Sequence, residues 1–507
     1  MKKQKGKNYM KNYVIGIDVG TQGTKSALFD ENGNKAAECF EASGLICPGP
    51  GIAEQDPEEL YGSVLRTIRG VMGMSKISPS QVAGIGIDAQ MAGIIAVDHH
   101  LQAIGAYDSW LDMRCEPMIE KMKLTAQAEI IRSTGGQVTY SHGPKILYRR
   151  KETPAEYDKT AKFLTLSAYL TGRMCSLRAE EAFIDYTHLH FTGFADNKKL
   201  EWNHGLLQEF GVHGEKLPRI CAPYELIGGI SKEAAASCGL LAGTAVIAGC
   251  GDSAASAFGA GITEENMIYD VAGTASIFSC STKTYSPDVK DKTLLFARSV
   301  ILGMWTPLAY IGGGGLCVKW HRDQSGRSFE ELNQGIASIE PGSRGLFFVP
   351  HLAGMTCPND SKVKGGFLGL SFYHTAEHMY RSILESIAYE YAGYFSILKN
   401  GIPQLKPNAV YGAGGGTKSS IFNQIKADVL NMPYYPLENA DTASYGAAVL
   451  AGYGTGIFES PQQGVQLKKR NQCYKPCSGS VEQYKKFTEQ YQRLVREIAH
   501  ISSNIWN

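Results

Sequence analysis

The 507-residue sequence predicts an α/β protein made of two related halves, and three observations carry that reading. Short apolar runs flank glycine-rich turns, amphipathic stretches at helical spacing lie between them, and the first hairpin is faintly echoed past the midpoint. In chain order, residues 13–17 and 25–29 flank a glycine-rich turn, and Asp30-Glu31-Asn32-Gly33 closes the second run, which is a hairpin signal. Asp56-Pro57-Glu58-Glu59 then opens an amphipathic helix carrying Leu60, Val64, Leu65, Ile68 and Val71. Residues 82–87 and 93–97 read as buried strands. Residues 245–248 form another, running through Gly249-Cys250-Gly251 into a small-residue helix led by Asp252.

A second unit is expected after Gly261, dividing the chain into domains 1–261 and 262–507. There, residues 266–271 and 276–280 flank Ala272-Gly273-Thr274-Ala275. Asp270-Val271-Ala272-Gly273-Thr274 echoes Asp18-Val19-Gly20-Thr21 with one residue inserted. The tail, residues 480–501, carries Tyr484, Phe487, Tyr491, Leu494 and Ile498 at helical spacing, a packing stripe.

Composition narrows the function classes. Fifty Lys and Arg balance 49 Asp and Glu, so nothing favours nucleic acid or an anionic membrane as partner. The basic start, MKKQKGKNYMK, leads into no apolar core of a secretory signal, and no uncharged apolar run reaches the ~18 residues of a membrane span. The twelve cysteines are scattered, and Cys473 and Cys477 lack a second pair to complete a zinc site. A cytoplasmic protein with free thiols is expected.

Four segments suit phosphate chemistry. In Gly16-Ile17-Asp18-Val19-Gly20-Thr21-Gln22-Gly23-Thr24-Lys25, glycines allow close backbone approach to phosphate oxygens, threonine adds a donor, and Asp18 at a strand end could hold Mg²⁺. An ordinary polar hairpin would read the same way. Asp252, at a strand-to-helix turn, suits a base that accepts a hydroxyl proton, although an acid there can also be a helix cap. Gly312-Gly313-Gly314-Gly315 and Gly412-Ala413-Gly414-Gly415-Gly416-Thr417 suit a nucleotide lying against backbone.

On these residues the chain resembles the FGGY carbohydrate kinases, most closely their xylulokinase-like branch. The match includes Glu54-Gln55-Asp56-Pro57 and the stretch from Gly365-Gly366-Phe367-Leu368-Gly369-Leu370 through His378-Met379-Tyr380-Arg381-Ser382-Ile383-Leu384-Glu385, which is similar to the family's C-terminal signature. The resemblance implies two ribonuclease H-like domains of the actin-like ATPase fold flanking a deep cleft, with sugar in the first and ATP in the second. It implies an ATP-dependent kinase that uses Mg²⁺ on a small ketose or polyol, a pentulose such as xylulose foremost. It assigns Asp252 as base and Asp18 to the metal. Gly20, Thr21, Gln22, Lys25, Gly273, Thr274, Gly314, Gly315, Gly414, Gly415 and Asn423 fall to ATP. Gln90, Met91, Ala92, Asp112, Arg114 and Asp252 fall to the sugar, Asp112 and Arg114 through the W-x-D-x-R match at Trp110–Arg114. Dimers are frequent among such kinases, so a homodimer is one assembly the resemblance allows.

One departure bears on substrate. Xylulokinases usually read Gln-Met-His-Gly where this chain has Gln90-Met91-Ala92-Gly93, and loss of an imidazole should shift sugar preference. No Arg-Glu pair follows Gln90, which disfavours glycerol. The alternatives are an actin- or Hsp70-like ATPase switch, or a hexulose, polyol or gluconate kinase.

Overall fold

The computed structural model describes residues 13–438, 441–465 and 472–505, so the basic start at residues 1–11 lies outside the described residues. The chain forms two compact units. The first comprises Met1–Thr263, Arg298–Gly303 and Asp441–Gln466, and the second comprises Glu264–Ala297, Met304–Ala440 and Leu467–Asn507. The expected cut after Gly261 falls beside the first crossing, but chain order hides two returns to the first unit. The longer return has a physical cause. Helix Thr442–Gly454 is built from small and apolar residues with hardly a polar face, and it is buried along most of its length, so it must be covered on several sides.

The first unit's sheet contains β1 (Tyr13–Gly20), β2 (Gly23–Asp30), β3 (Lys35–Ala42), β4 (Val82–Ala89), β5 (Leu226–Gly229), β6 (Ala245–Ile247) and β7 (Cys250–Gly251). Their order is β5-β6-β4-β1-β2-β3, and β7 pairs β4. β1 and β2 run antiparallel with Asp18 opposite Lys25. β1 and β4 run parallel with Asp18 beside Asp88, and Cys250 of β7 lies on the other side of Asp88. Ile15, Ile17, Ile85 and Ile87 share a core with Leu60, Val64, Ile68 and Val71 of helix Pro57–Ser75. That helix starts where expected: the Asp56 side chain accepts from Glu58 N–H and proline occupies the first turn.

Helix Thr442–Gly454 lies on the sheet at two glycines. A Cβ on Gly16 would sit 1.7 Å from the Ser444 carbonyl oxygen, and one on Gly86 would sit 2.3 Å from that of Ala447. Side chains two residues further along each strand emerge on the same face, so Asp18 and Asp88 stand at the strand ends just beyond this contact.

The second unit's sheet contains β8 (Ile268–Ala272), β9 (Ser276–Cys280), β10 (Leu295–Arg298), β11 (Trp305–Ile311), β12 (Val410–Ala413) and β13 (Tyr434–Pro436), ordered β10-β11-β9-β8-β12-β13. β8 pairs β9 antiparallel and β12 parallel, as β1 pairs β2 and β4. The faint sequence echo is thus a shared topology, with Asp18 and Asp270 each on the first strand of its hairpin. Helix Ala376–Gly401 packs on this sheet, helix Ser478–Ile505 packs in turn on that helix, and Tyr484 and Tyr491 of the tail stripe lie in the unit's core. His351 is a packed histidine, buried with Nε2 3.2 Å from Glu390 Oε1. All twelve cysteines are free thiols, and no described helix is long and apolar enough to cross a membrane.

Candidate active site

Three carboxylates converge where β1, β4 and β7 end. Asp18 and Asp88 are neighbours by strand register. Asp252 begins helix Asp252–Gly259 directly after β7, its Oδ1 accepting from Ser253 N–H at 2.6 Å. Asp18 and Asp252 keep part of their surface open to solvent, whereas Asp88 is fully buried. Both Asp88 oxygens lack a donor partner. Its close neighbour is Asp18, and two carboxyl groups can bond each other only when one carries a proton. Burial, then the charges of Asp18 and Asp252, push Asp88 well above the ordinary carboxylate range, which favours Asp88 as the protonated member of the pair.

The two partly open carboxyls are also shifted. Burial raises Asp252 to about 7, with Asp18 adding to the effect and the Ser253 N–H opposing it. Asp18 is raised first by burial, while Lys25 pulls it back. Lys25 Nζ lies 2.5 Å from Asp441 Oδ1, at the start of helix Thr442–Gly454. Burial works against the Asp441 carboxylate, but the bond and charge of Lys25 outweigh it and hold Asp441 below its usual value. The corner therefore offers an acceptor poised near neutrality, a cation, and a carboxyl in excess of that cation.

A hydrogen-bonded chain ties the hairpin tip to the expected sugar side. Thr21 Oγ1 accepts from Trp110 Nε1 at 2.9 Å and donates to Gln90 Oε1 at 3.2 Å, and Gln90 Nε2 donates to Gln55 Oε1 at 2.6 Å. Thr21 thus links Gln90 to Trp110, and any phosphate contact from it would fall to its backbone. Gly20 is half-buried and Gln22 exposed at the tip. Met91 lies against β7: its Sδ accepts from Ser253 Oγ at 3.1 Å, and a Cβ on Gly251 would collide with its thioether. Ala92 has φ 63°, an uncommon conformation for a residue with a side chain.

Asp112 and Arg114 are brought together, chiefly with each other. Asp112 accepts from Ala53 N–H at 3.0 Å and from Arg114 Nε at 2.8 Å. The Arg114 guanidinium also reaches Asp108 at 3.0 Å and Glu54 at 2.6 Å. Lys145 is buried beneath, donating to the Ser109 and Asp112 carbonyls at 2.9 and 2.8 Å, and burial lowers its pKa.

In the second unit the glycine turns cluster. A Cβ on Gly315 would lie 1.9 Å from the Gly273 carbonyl oxygen, and one on Gly414 would lie 2.7 Å from that of Ala272. Leu316 N–H donates to the Thr274 carbonyl at 3.2 Å. Gly314 begins helix Gly314–Ser325, whose N-terminal N–H groups suit an anion. Gly415 has open space around its Cα. Asn423 is buried below this turn, its amide donating to the Thr417 carbonyl at 2.8 Å.

Sequence reasoning missed Asp88, Gln55, Asp108 and Lys145. Asp88 alone carried a usable signal: it ends an apolar strand two residues before Gln90, much as Asp18 ends its own strand before Gly20.

Among the described residues no group of three or more His, Cys, Asp or Glu could enclose a metal ion. Mg²⁺ needs only one or two carboxylates when phosphates and water complete its shell. Asp18, partly open and short of positive charge, fits that requirement.

Comparison with known proteins supplies the family. The model of the FGGY family of carbohydrate kinases, N-terminal domain, matches residues 13–259, and that of the C-terminal domain matches residues 269–455. The chain is similar to a xylulose kinase of Bacillus subtilis (strain 168), 27% identical over 487 residues that span 95% of this chain and 96% of the relative. A gluconokinase of the same organism is 26% identical over 467 residues, 89% of each chain. Among solved structures, the ligand-bound xylulose kinase from Lactobacillus acidophilus superposes with TM-score 0.89 at 23% identity, over 96% of this chain and 98% of that one. The two sheet-based units have the fold of the FGGY kinases, the actin-like ATPase fold.

Proposed function

The chain belongs to the FGGY family of carbohydrate kinases and is an ATP-dependent phosphotransferase, and we propose that Asp252 is the general base which deprotonates a hydroxyl of a small uncharged ketose or polyol, a pentulose such as xylulose first among them. The observation that carries this reading is the Asp252 carboxyl, on a part-buried residue at the end of β7, beside the hairpin of Asp18 and Lys25, with its pKa raised by burial to about 7. A base acts best when its pKa lies near the working pH.

In the proposed reaction the substrate hydroxyl gives its proton to Asp252, and its oxygen forms a bond to the γ-phosphorus of ATP. The bond from that phosphorus to the β–γ bridging oxygen breaks, ADP departs, and Asp252 returns the proton to water. Lys25 would face the transferred phosphoryl group, and the turns at Gly273–Thr274, Gly314–Gly315 and Gly414–Gly415 would take the nucleotide, with Asn423 bracing the last. Asp18 would hold Mg²⁺, which would neutralise charge on the ATP phosphates.

Charge balance supports an uncharged substrate over an aldonate such as gluconate. Next to Trp110, Lys145 donates to the Ser109 and Asp112 carbonyls, and Arg114 and Arg149 are both paired with Asp108. An anionic sugar acid would meet cations whose charge is already offset by Asp108, Asp112 and Glu54, whereas a neutral sugar needs no such counter-charge. The left-handed Ala92 leaves room where an imidazole is usual, which favours a substrate with extra bulk or altered stereochemistry at that side.

The test is ADP release measured across pentuloses, hexuloses, polyols and gluconate and compared by kcat/KM. The reading expects a neutral ketose or polyol to exceed gluconate by at least tenfold. Gluconate in first place would overturn the substrate class, and ATP hydrolysis indifferent to every sugar would favour an ATPase switch.

A further inference from the structure

The strand that presents Asp252 is only two residues long. β6 ends at Ile247, and the chain turns at Gly249, where φ is +79° and a Cβ would lie 2.0 Å from the Ile87 carbonyl oxygen. β7 then resumes beside β4 for Cys250 and Gly251 alone. A segment so short holds few ladder bonds, and its outer edge has no neighbouring strand in the sheet.

That outer edge is closed by a side chain. Gly251 N–H, on the residue directly before Asp252, donates to Thr187 Oγ1 at 3.0 Å. The Thr187 hydroxyl in turn donates to Asp185 Oδ1 at 2.5 Å, and the same oxygen accepts Thr187 N–H at 2.9 Å. Asp185 thereby caps the 3₁₀ turn Tyr186–Phe191 and leaves a Thr187 lone pair aimed at Gly251. On the far side His188 Nε2 lies 3.4 Å from Asp185 Oδ2 and 3.5 Å from Ser167 Oγ. Asp185, Thr187 and His188 are all buried. The three bonds that meet at Thr187 Oγ1 and Asp185 Oδ1 lie in a dry setting, where Thr187 has lost the option of bonding to water, so this part of the chain is stiff.

We propose that the Asp185–Thr187 pair is a positioning device for the phosphoryl-transfer reaction: it replaces the missing neighbour strand, pins the Gly251 N–H, and so fixes the direction in which the Asp252 carboxylate leaves the sheet. The proposal rests on the assignment of Asp252 as base. It makes Thr187 a determinant of turnover although it touches neither sugar nor nucleotide. A misplacement of about 1 Å at a reacting group can cost about 10²-fold in rate.

The test uses the full-length enzyme. Thr187→Val keeps the side chain's shape and removes both hydrogen bonds. Expected is a loss of kcat of about 10- to 100-fold, with KM for ATP within about twofold, and return to within about threefold of wild type in Thr187→Ser. Should Thr187→Val not fold, Thr187→Cys, a weak acceptor of similar size, is expected to lose about 3- to 10-fold. The same substitution is then placed on Asp252→Ala, where the strut has no carboxylate to aim and should cost less than about twofold. Equal losses in the two backgrounds, or full turnover in Thr187→Val, would overturn the proposal. Failure of the base assignment itself shows separately, as an active Asp252→Ala single variant.

Discussion

Asp18 and Asp270 occupy matching places in the two units, each on the first strand of a hairpin with a parallel strand beside it, yet their surroundings are opposite. Beside Asp18 the parallel strand offers Asp88, a second carboxyl. Beside Asp270 it offers Gly412, where a Cβ would lie 1.9 Å from the Tyr434 hydroxyl. That gap lets Tyr434 donate to Asp270 Oδ2 at 2.7 Å, while Tyr391 donates to Oδ1 at 2.7 Å and Lys426 completes a wholly buried ion pair. One hairpin keeps its carboxyl short of partners and half-open. The other satisfies its carboxyl completely. A repeated element thus leaves a carboxyl free for chemistry in one unit and ties it into the core in the other, and the deciding residue sits on the neighbouring strand.

The sharpest way to break this comparison is to exchange the two losses. Asp18→Asn should cut turnover by about 10³-fold with no loss of thermal stability, because it removes a charge that its neighbours oppose. Asp270→Asn should cost about 3–5 kcal/mol in a denaturant titration, since it leaves Lys426 buried without a counter-charge, while the folded fraction keeps its kcat. Converse outcomes would show that the hairpins have the opposite roles.

A second effect concerns pH. The pKa of Asp252 is raised on folding, so the stability linked to it is full below the unfolded carboxylate range and is lost as pH rises through about 7. Asp252→Asn should therefore stabilise the protein by about 1–3 kcal/mol at pH 8, after allowance for partial exposure, and by much less at pH 5. Melting curves at the two pH values check this, and an equal shift at both would contradict the buried-charge account.

Smaller still is the response at Asp88. Asp88→Asn preserves a donor toward Asp18, so stability should change by less than about 1 kcal/mol, whereas Asp88→Leu removes the donor and should cost more. A similar response to Asn and Leu would mean that Asp88 does not donate to Asp18. At the low end, Ala92→Gly should stabilise by about 1 kcal/mol by relieving the left-handed backbone, measured as a shift in denaturant midpoint.

How far the site was legible follows from which of its contacts are local. Asp18 and Asp252 announce themselves because each ends an apolar strand beside glycines, a pattern confined to a few residues. Asp88 does not, since its meaning depends on β1 and β4 lying in register, and their centres are separated by about seventy residues of chain. The return of helix Thr442–Gly454 to the first unit was hidden for the same reason: its cover comes from Gly16 and Gly86, far away in sequence. The W-x-D-x-R stretch was visible as a motif, but only the structure shows that Asp112 and Arg114 pair with each other.

The most direct measurement is single-turnover phosphoryl transfer by Asp252→Asn beside wild type, with the preferred sugar and with kcat/KM followed from pH 5 to 9. The account predicts a wild-type rate that falls below an apparent pKa near 7, and a variant slower by about 10³-fold or more that still binds MgATP within about threefold of wild type. A variant that keeps a tenth of the wild-type turnover, or a wild-type profile flat down to pH 5, would contradict it.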